Sequence, residues 1–189
     1  MLGKFLASLS IIILIILPAN AHEKGAHEEG KKHVIDLKKE AAIGNMSNVT
    51  SLHGTIYMTG QPDEATVGSL KEKGFQVVLN IRGADEGKFD EKAMVTGDGL
   101  AYYNVPLLKD GQIQDSAVSK IHAIIKENKG KKILFHCASA NRVAGWFGAH
   151  LARDMGYETE AAISLAKEAG MTKAGMEKIL RDYLDNLSR

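Results

Sequence analysis

The sequence predicts a single α/β domain with a small, mostly parallel central sheet flanked by helices. Two short apolar runs, Gln76 to Ile81 and Ile133 to Phe135, are typical of strands that are buried on both faces. These runs alternate with helical patterns, of which Val118, Ile121 and Ile125 form the clearest apolar stripe. The chain has 189 residues, 44% of them hydrophobic, which is enough for one core and too little for several domains.

The first 21 residues, Met1 to Ala21, are typical of a secretory signal peptide. Lys4 gives a positive start, Leu6 to Leu17 an apolar core, and Ala19-Asn20-Ala21 a cleavage site before His22. A membrane-spanning helix needs about 20 apolar residues, more than this core has. We therefore expect a periplasmic or secreted protein with no stable membrane association after cleavage; an uncleaved anchor is the alternative.

Residues 22–44 are predicted to be a polar linker, and residues 45–189 the folded domain. His22, His27 and His33 lie among acids and lysines at a spacing that matches no metal site, so a solvated segment is expected. The net charge of +1 gives no electrostatic footprint for nucleic acid. With one cysteine, no internal disulfide can form.

The first half of the domain predicts a βαβ unit. Thr55 to Met58 is a short strand, and Thr59 to Asp63 is a turn that leads into a helix ending at Gly74. The buried strand Gln76 to Ile81 follows. A later helix begins near Asp115, which is predicted to be its N-cap residue.

The candidate functional stretch runs from Ile133 to Phe147. An apolar strand ends at Cys137, and a loop of small and polar residues leads to Arg142 and a helix. A strand, a tight loop and a helix N-terminus together form an anion site, and a nearby guanidinium favours the thiolate. A lone Cys after a buried strand is otherwise a small core residue; the order Cys, small loop, Arg, helix favours a nucleophile.

The motif His136-Cys137-x-x-x-x-Arg142 resembles the active loop of the cysteine-dependent phosphatases, with four residues between Cys and Arg where most members have five. Together with Thr59-Gly60-Gln61-Pro62 and Val77 to Arg82, it resembles the bacterial beta-lactamase-hydrolase-like phosphatase family of the dual-specificity and tyrosine phosphatase superfamily. The resemblance spans roughly residues 45 to 170. It implies a protein-tyrosine-phosphatase-like fold and makes residues 45–189 the catalytic domain.

The resemblance also implies roles for single residues. Cys137 attacks phosphorus, water hydrolyses the thiophosphate, and His136 orients the start of the loop. The phosphate oxygens are held by Arg142 and by the loop amides. These amides belong to Ala138, Ser139, Ala140, Asn141 and Arg142. No metal or cofactor is needed, and the expected partner is a phosphorylated protein or small molecule.

Asp110 is the candidate proton donor. In this superfamily the general acid comes from the loop between a strand, here Ala101 to Val105, and the following helix. Asp110 lies on that loop and, unlike Asp115, has no predicted capping role. The alternative is a plain surface turn with Gly111.

Arg82 is the candidate supporting residue. It lies just past the end of a predicted strand, where open α/β sheets gather their ligands. It is expected to line the substrate rim or to brace the active loop, or simply to pair with Asp85 or Glu86.

Two departures from the family pattern point to alternative functions. Ala140 stands where a Gly is usual, and Val143 where Ser or Thr usually follows the arginine, although Ser139 offers a hydroxyl. A loop of this size also occurs in rhodanese-like sulfurtransferases, which carry a Cys persulfide, but the N-terminal half lacks their Asp-x-Arg and Gly-His pattern. A non-catalytic phosphate-binding module is the third class.

Overall fold

The computed structural model of the protein describes residues 11–12 and 34–187. The strands are β1 (Ile11–Ile12), β2 (Asp36–Lys39), β3 (Thr50–Leu52), β4 (Ile56–Thr59), β5 (Val77–Asn80), β6 (Ala101–Asn104), β7 (Leu108–Lys109), β8 (Gln112–Ile113) and β9 (Ile133–His136). The helices are α1 (Glu64–Gly68), α2 (Glu91–Gly97), α3 (Asp115–Glu127), α4 (Asn141–Met155), α5 (Thr159–Ala169) and α6 (Ala174–Leu187). A 3₁₀ turn covers Ala84–Glu86.

The central sheet has the strand order β1-β2-β3-β4-β9-β5-β6. Strands β4, β9, β5 and β6 are parallel, and β1 to β3 extend the sheet through antiparallel pairs. The predicted βαβ unit is β4-α1-β5, and β9 lies between its two strands. The predicted fold class, α/β with a mostly parallel sheet between helices, is confirmed.

The central strands are buried on both faces, as their continuous apolar runs predict. In β5, Val77 and Leu79 face the helices α3 to α6, whereas Val78 faces α1 and α2. In β9, Phe135 faces α3 to α6, and Leu134 faces α1 and α2. Burying one such side chain stabilises the fold by about 1.5–3 kcal/mol. The two buried strands therefore hold in place the residues that follow their carboxyl ends.

Helix α4 packs closely against α5 and α6 because two of its residues are glycines. A Cβ atom on Gly148 would lie 2.7 Å from Leu180 Cδ2 and 3.1 Å from Ala166 Cβ. A Cβ on Gly145 would lie 2.6 Å from Met176 Cε. The helix that follows the candidate loop is therefore held in a fixed position by its two C-terminal neighbours.

Two predictions near the N-terminus have different outcomes. The predicted linker, residues 22–44, contains β2, which pairs with β3, so the end of this segment belongs to the sheet. The predicted signal peptide, Met1 to Ala21, lies outside the described residues except for β1. Among the helices of the described chain, none is long and apolar enough to cross a bilayer.

The predicted N-cap of α3 was wrong by one residue. Gln114 occupies the N-cap position, and Asp115 is the first helical residue. The Asp115 carboxylate accepts hydrogen bonds from Tyr183 Oη at 2.7 Å and Arg153 Nη1 at 3.1 Å. It therefore joins α3 to α4 and α6 instead of capping its own helix.

Candidate active site

The candidate loop connects the end of β9 to the start of α4. Cys137 directly follows β9 and is only 1% exposed, so its thiol lies at the base of the loop. Arg142 is the second residue of α4, and its side chain is 20% exposed. The structure thus brings the predicted nucleophile and the predicted anion-binding side chain to one helix N-terminus, as the sequence pattern predicts.

Ala140 occupies a left-handed backbone conformation. It is the N-cap residue of α4, with φ 64° and ψ −18°, and its side chain is buried. This conformation costs an L-residue about 1–2 kcal/mol relative to glycine. The chain therefore adopts the turn that a glycine would make here, and Ala140 is strained in it.

The segment Thr59 to Gln61 holds the loop from the side of β4. Gln61 N donates to Ala138 O at 3.3 Å, and Cys137 N donates to Thr59 O at 3.3 Å. A Cβ on Gly60 would lie 3.2 Å from Ala138 O, so a larger residue would push the loop away. This close approach explains why a glycine lies at the centre of the Thr-Gly-Gln-Pro turn.

Most of the loop amides are available to an anion. Within residues 34–187, the backbone N–H groups of residues 138, 139, 141 and 142 donate no hydrogen bond to another described residue. Unpaired N–H groups at a helix start carry partial positive charge. Four of the five amides that the sequence analysis assigns to phosphate are therefore free to donate.

The side chain of Asn141 has a structural role that the sequence did not predict. Its Oδ1 accepts hydrogen bonds from Thr172 N and Lys173 N, both at 2.8 Å, and its Nδ2 donates to Ser139 O at 3.0 Å. Asn141 is only 5% exposed. It fastens the loop to the chain that enters α6, so only its backbone N–H is left for a ligand.

Glu86 holds the guanidinium of Arg142. Arg142 Nη1 donates to Glu86 Oε1 and Nη2 to Glu86 Oε2, both at 2.6 Å. Arg82 binds the same glutamate, through Nε to Oε2 at 3.3 Å and through Nη2 to the main-chain oxygen, and also donates to Gln61 Oε1. Arg82 therefore pairs with Glu86, as one of the two expectations has it, and Glu86 links it to Arg142; its place on the substrate rim stays a prediction.

The paired charges stabilise the ionised form of Glu86. The hydrogen bond from Arg142 is the largest influence, and the N–H of Gly83 and the side chain of Arg82 act in the same direction. Together they lower the pKa of Glu86 from its ordinary value of 4.5 to about 2. Glu86 in turn raises the pKa of Arg142. Each group therefore favours the charged form of the other.

The Glu86 pair should make a pH-dependent contribution to stability. Since the folded pKa of about 2 lies below the unfolded value of 4.5, the contribution is fully present above about pH 4.5 and is lost as the pH falls towards 2. We expect Glu86→Gln to lower the free energy of unfolding by a constant amount above pH 5, and by progressively less in acid. Urea unfolding at several pH values measures this difference, and a difference that is independent of pH would contradict it.

Below the loop, His136 belongs to a buried polar cluster centred on Glu91. His136 Nε2 lies 3.1 Å from Glu91 Oε1, which also accepts from Gln61 Nε2 at 2.9 Å. Glu91 Oε2 accepts from Asn80 Nδ2 at 2.9 Å and Tyr102 Oη at 3.1 Å. Burial acts to raise the pKa of Glu91, but these donors outweigh it and lower the pKa. The cluster fixes the end of β9 from which the loop departs.

Asp110 lies at the tip of a small hairpin that the sequence analysis did not predict. Strands β7 and β8 pair across Asp110 and Gly111, whose φ values of 51° and 74° are those of a tight Asp-Gly hairpin turn. The hairpin rises from the carboxyl edge of the sheet, where Leu107 N donates to Ile81 O at 3.2 Å. Asp110 is exposed, and no described contact joins it to Cys137 or Arg142.

Sequence reasoning named Glu86 only as a partner for Arg82 and did not consider Glu91. Glu86 had a usable signal, since it follows a predicted strand at the edge where Cys137 also lies. Glu91 had none, because its position in the first turn of α2 suggests only an ordinary acidic helix start. Its burial depends on the packing of α2 over β9, which one sequence does not reveal.

Comparison with known proteins identifies the fold. No protein-family model matches the chain, and no curated protein matches it in sequence. A DUF442 protein from Shewanella putrefaciens CN-32 is similar in structure, with 20% identity, a TM-score of 0.54, and coverage of 80% of this chain and 88% of its own. Tk-PTP in its active form has 17% identity and a TM-score of 0.57, over 70% and 92% of the two chains.

A third similar structure is a cysteine-to-serine variant of TpbA from P. aeruginosa in complex with pTyr. It has 17% identity and a TM-score of 0.51, and the match covers 71% of this chain and 79% of TpbA. At these identities the likeness concerns the fold. The chain therefore has the protein-tyrosine-phosphatase-like fold that the sequence motifs imply.

Proposed function

We propose that the chain is a cysteine-dependent phosphatase that hydrolyses phosphate monoesters. The observation that carries this proposal is the placement of Cys137 at the base of a loop whose unpaired N–H groups and Arg142 lie at one helix N-terminus. Such a site holds an oxyanion next to a sulfur nucleophile. The finer resemblance, to the beta-lactamase-hydrolase-like family with a four-residue Cys-to-Arg spacing, belongs to the same proposal.

The proposed reaction has two steps. The Cys137 thiolate forms a bond to phosphorus as the ester P–O bond breaks, and Asp110 gives its proton to the departing oxygen. Water then attacks phosphorus, the S–P bond breaks to restore the thiolate, and Asp110 takes a proton from the water. Arg142 and the loop amides hold the equatorial oxygens throughout, and no metal or other cofactor is required.

Arg142 can bind phosphate without releasing Glu86. A guanidinium has five N–H donors, and Glu86 engages one on each terminal nitrogen. The Nε–H and the second hydrogen of Nη2 remain together on one edge for phosphate oxygens. We infer that Glu86 fixes the plane of the guanidinium so that this remaining edge is presented to the loop.

A groove beside the loop suits a phosphorylated protein or small molecule. It runs past Ala138, and its lining includes the basic Arg82 and Lys88, the acidic Asp63 and Glu64, and Phe89. Arg82 and Lys88 offer donors to a phosphate group, and Phe89 offers an apolar surface for a ring. The pTyr bound to the TpbA variant is a ligand of this class.

The location of the enzyme is also a proposal. A signal peptide at Met1 to Ala21 would place the mature chain in the periplasm or outside the cell. N-terminal sequencing of exported protein decides the matter, since cleavage gives a chain that begins at His22.

The decisive test is the dependence of activity on the leaving group. Asp110→Asn should reduce kcat by about 10² to 10⁴ for an alkyl phosphate, whose leaving oxygen needs a proton, and far less for p-nitrophenyl phosphate. Asp85→Asn, also at the exposed carboxyl edge, is the matched control and should leave both rates unchanged. If Asp85→Asn alone shows the dependence, the acid is Asp85.

The same purified chain separates phosphatase from sulfurtransferase activity. Incubation with p-nitrophenyl phosphate should release p-nitrophenol, whereas thiosulfate with cyanide should give no thiocyanate. Thiocyanate formation without phosphate release would overturn the proposal in favour of the rhodanese-like alternative. If neither product forms but phosphate still binds, the chain is a non-catalytic phosphate-binding module.

A further inference from the structure

Helices α3 and α4 bring two histidines and an aspartate together away from the candidate active site. His122 lies on α3, and His150 and Asp154 lie four residues apart on one face of α4. One ligand atom from each residue lies within 4.8 Å of the other two. His150 is eight residues from Arg142, roughly 12 Å along the helix axis, so this cluster is separate from the loop.

The side chains of the cluster are already oriented towards one another. The ring of His150 stacks on Trp146, with the two ring centroids 5.2 Å apart and the ring planes 5° apart. The centroid of the His122 ring lies 4.6 Å from that of the His150 ring. Trp146 is itself fixed, because its Nε1 donates to Val118 O at 3.2 Å. A ring that is held on a rigid surface loses little entropy when it binds a ligand.

The atoms that meet in the cluster are electron-pair donors. His150 Nδ1 lies 2.6 Å from Asp154 Oδ2, the distance of a hydrogen bond, and a metal ion that bound both atoms would displace the proton between them. Asp154 Oδ1 accepts from Arg153 Nε at 2.8 Å, which orients the carboxylate and leaves Oδ2 for the cluster.

We propose that His122, His150 and Asp154 bind a divalent transition-metal ion of the zinc type. Two imidazoles and one carboxylate are the ligands of such ions, whereas Mg²⁺ and Ca²⁺ prefer sites made of oxygen. At bond lengths of about 2.0–2.1 Å, tetrahedral ligands lie roughly 3.3 Å apart. The shortest separation, 2.6 Å, must widen and the longest, within 4.8 Å, must contract, which small side-chain rotations can provide.

The proposed ion would join α3 to α4 and leave one coordination position open. Trp146 packs edge-on against Phe135 of β9 at 5.1 Å, so the cluster rests on the sheet as well as on two helices. An ion that binds the folded chain and not the unfolded one stabilises the fold by mass action. The site is thus expected to be structural or regulatory, since it lies too far from Cys137 to touch a substrate there.

The experiment uses Trp146, the only tryptophan of the chain, as a local probe. The mature protein is titrated with ZnCl₂ in a Cys137→Ser background, so that the thiol binds no metal. Binding at His150 should change the Trp146 emission saturably, and a hundredfold excess of ion over Kd should raise Tm by roughly 5 to 10 °C. MgCl₂ at the same concentration should do neither.

Variants locate the site. His122→Gln leaves the contact between Trp146 and His150 in place, so a loss of metal response in this variant reports ligation; we expect its Kd to rise at least tenfold. Asp154→Asn should also raise the Kd for Zn²⁺ at least tenfold. His53→Gln, a change at an exposed histidine in a turn, is the matched control and should keep the Kd of the parent. Calorimetry gives the same Kd independently of fluorescence.

The outcomes are distinct. Zn²⁺ binding with a changed Trp146 emission that is weakened by His122→Gln and Asp154→Asn supports the proposal. Zn²⁺ binding that leaves Trp146 emission and Tm unchanged would place the ion elsewhere, for instance on the histidines at positions 22, 27 and 33, and would overturn it. So would a response that survives both variants or that Mg²⁺ reproduces.

Discussion

Cys137→Ser is expected to abolish phosphate ester turnover while leaving oxyanion binding nearly intact. The hydroxyl of serine is a far weaker nucleophile than a thiolate, so we expect kcat for p-nitrophenyl phosphate to fall by about 10⁴ or more. Binding should survive because the free amides of residues 138, 139, 141 and 142 and the guanidinium of Arg142 are unchanged. Steady-state assays give the first result, and calorimetric titration with tungstate the second.

Cys137→Ala controls for any activity of the introduced hydroxyl and should match Cys137→Ser in both measurements. Because neither replacement is larger than the buried thiol, both variants should also keep the Tm of the parent within a few degrees. Turnover that persists in both variants would show that another residue is the nucleophile. Loss of tungstate binding together with turnover would mean that the thiolate itself shapes the loop.

The sequence predicts the layers of the fold well because its strongest signal is local. Strands β5 and β9 are short apolar runs, and α4 has an apolar stripe that ends at Gly156, which takes the left-handed conformation of a helix end. An apolar run indicates a strand that is buried on both faces, and an apolar stripe indicates a helix that is buried on one face. The placement of Cys137 and Arg142 follows, since both lie within a few residues of such an element.

The antiparallel edge of the sheet could not be predicted in the same way. Strand β2 has the sequence Asp-Leu-Lys-Lys, and only Leu37 packs on the core, so nothing in its pattern distinguishes it from a solvated segment. It exists because β3 offers backbone partners, in a register that pairs Leu37 with Leu52. Strand pairing depends on two segments, so the residue pattern of one segment alone does not predict it.

Some supporting residues of the site likewise have a local sequence signal, whereas the roles of others depend on partners far away in the chain. Arg82 could be predicted because its position after a strand is a local feature, and the same position gave Glu86 as one of its two expected partners. Asn141 instead binds the main chain at Thr172, 31 residues away, and Glu91 accepts a hydrogen bond from Asn80, 11 residues away. A polar residue next to an apolar one looks the same in sequence whether its partner is water or a distant amide.

Arg142→Ala is expected to damage both binding and turnover, in contrast to Cys137→Ser. The guanidinium holds the phosphate in the ground state and in the transition state, so kcat/KM should fall by about 10² to 10⁴ and tungstate affinity should fall with it. Arg142→Lys should recover little, since an ammonium is a point charge that cannot engage Glu86 and phosphate in one plane. Arg181→Lys, on α6 and paired with Glu160 and Glu177, is the matched control and should keep full activity.

The role of Glu86 makes the effect of Arg142 non-additive. Without its partner, the ionised Glu86 carboxylate lies beside the loop and repels an anionic substrate, in addition to the loss of the phosphate contact. The double variant Arg142→Ala with Glu86→Gln should therefore retain more kcat/KM than the product of the two single effects predicts. Strictly additive losses would show that Glu86 does not act through Arg142, and an Arg142→Lys variant with activity within about tenfold of the parent would show that charge alone suffices at this position.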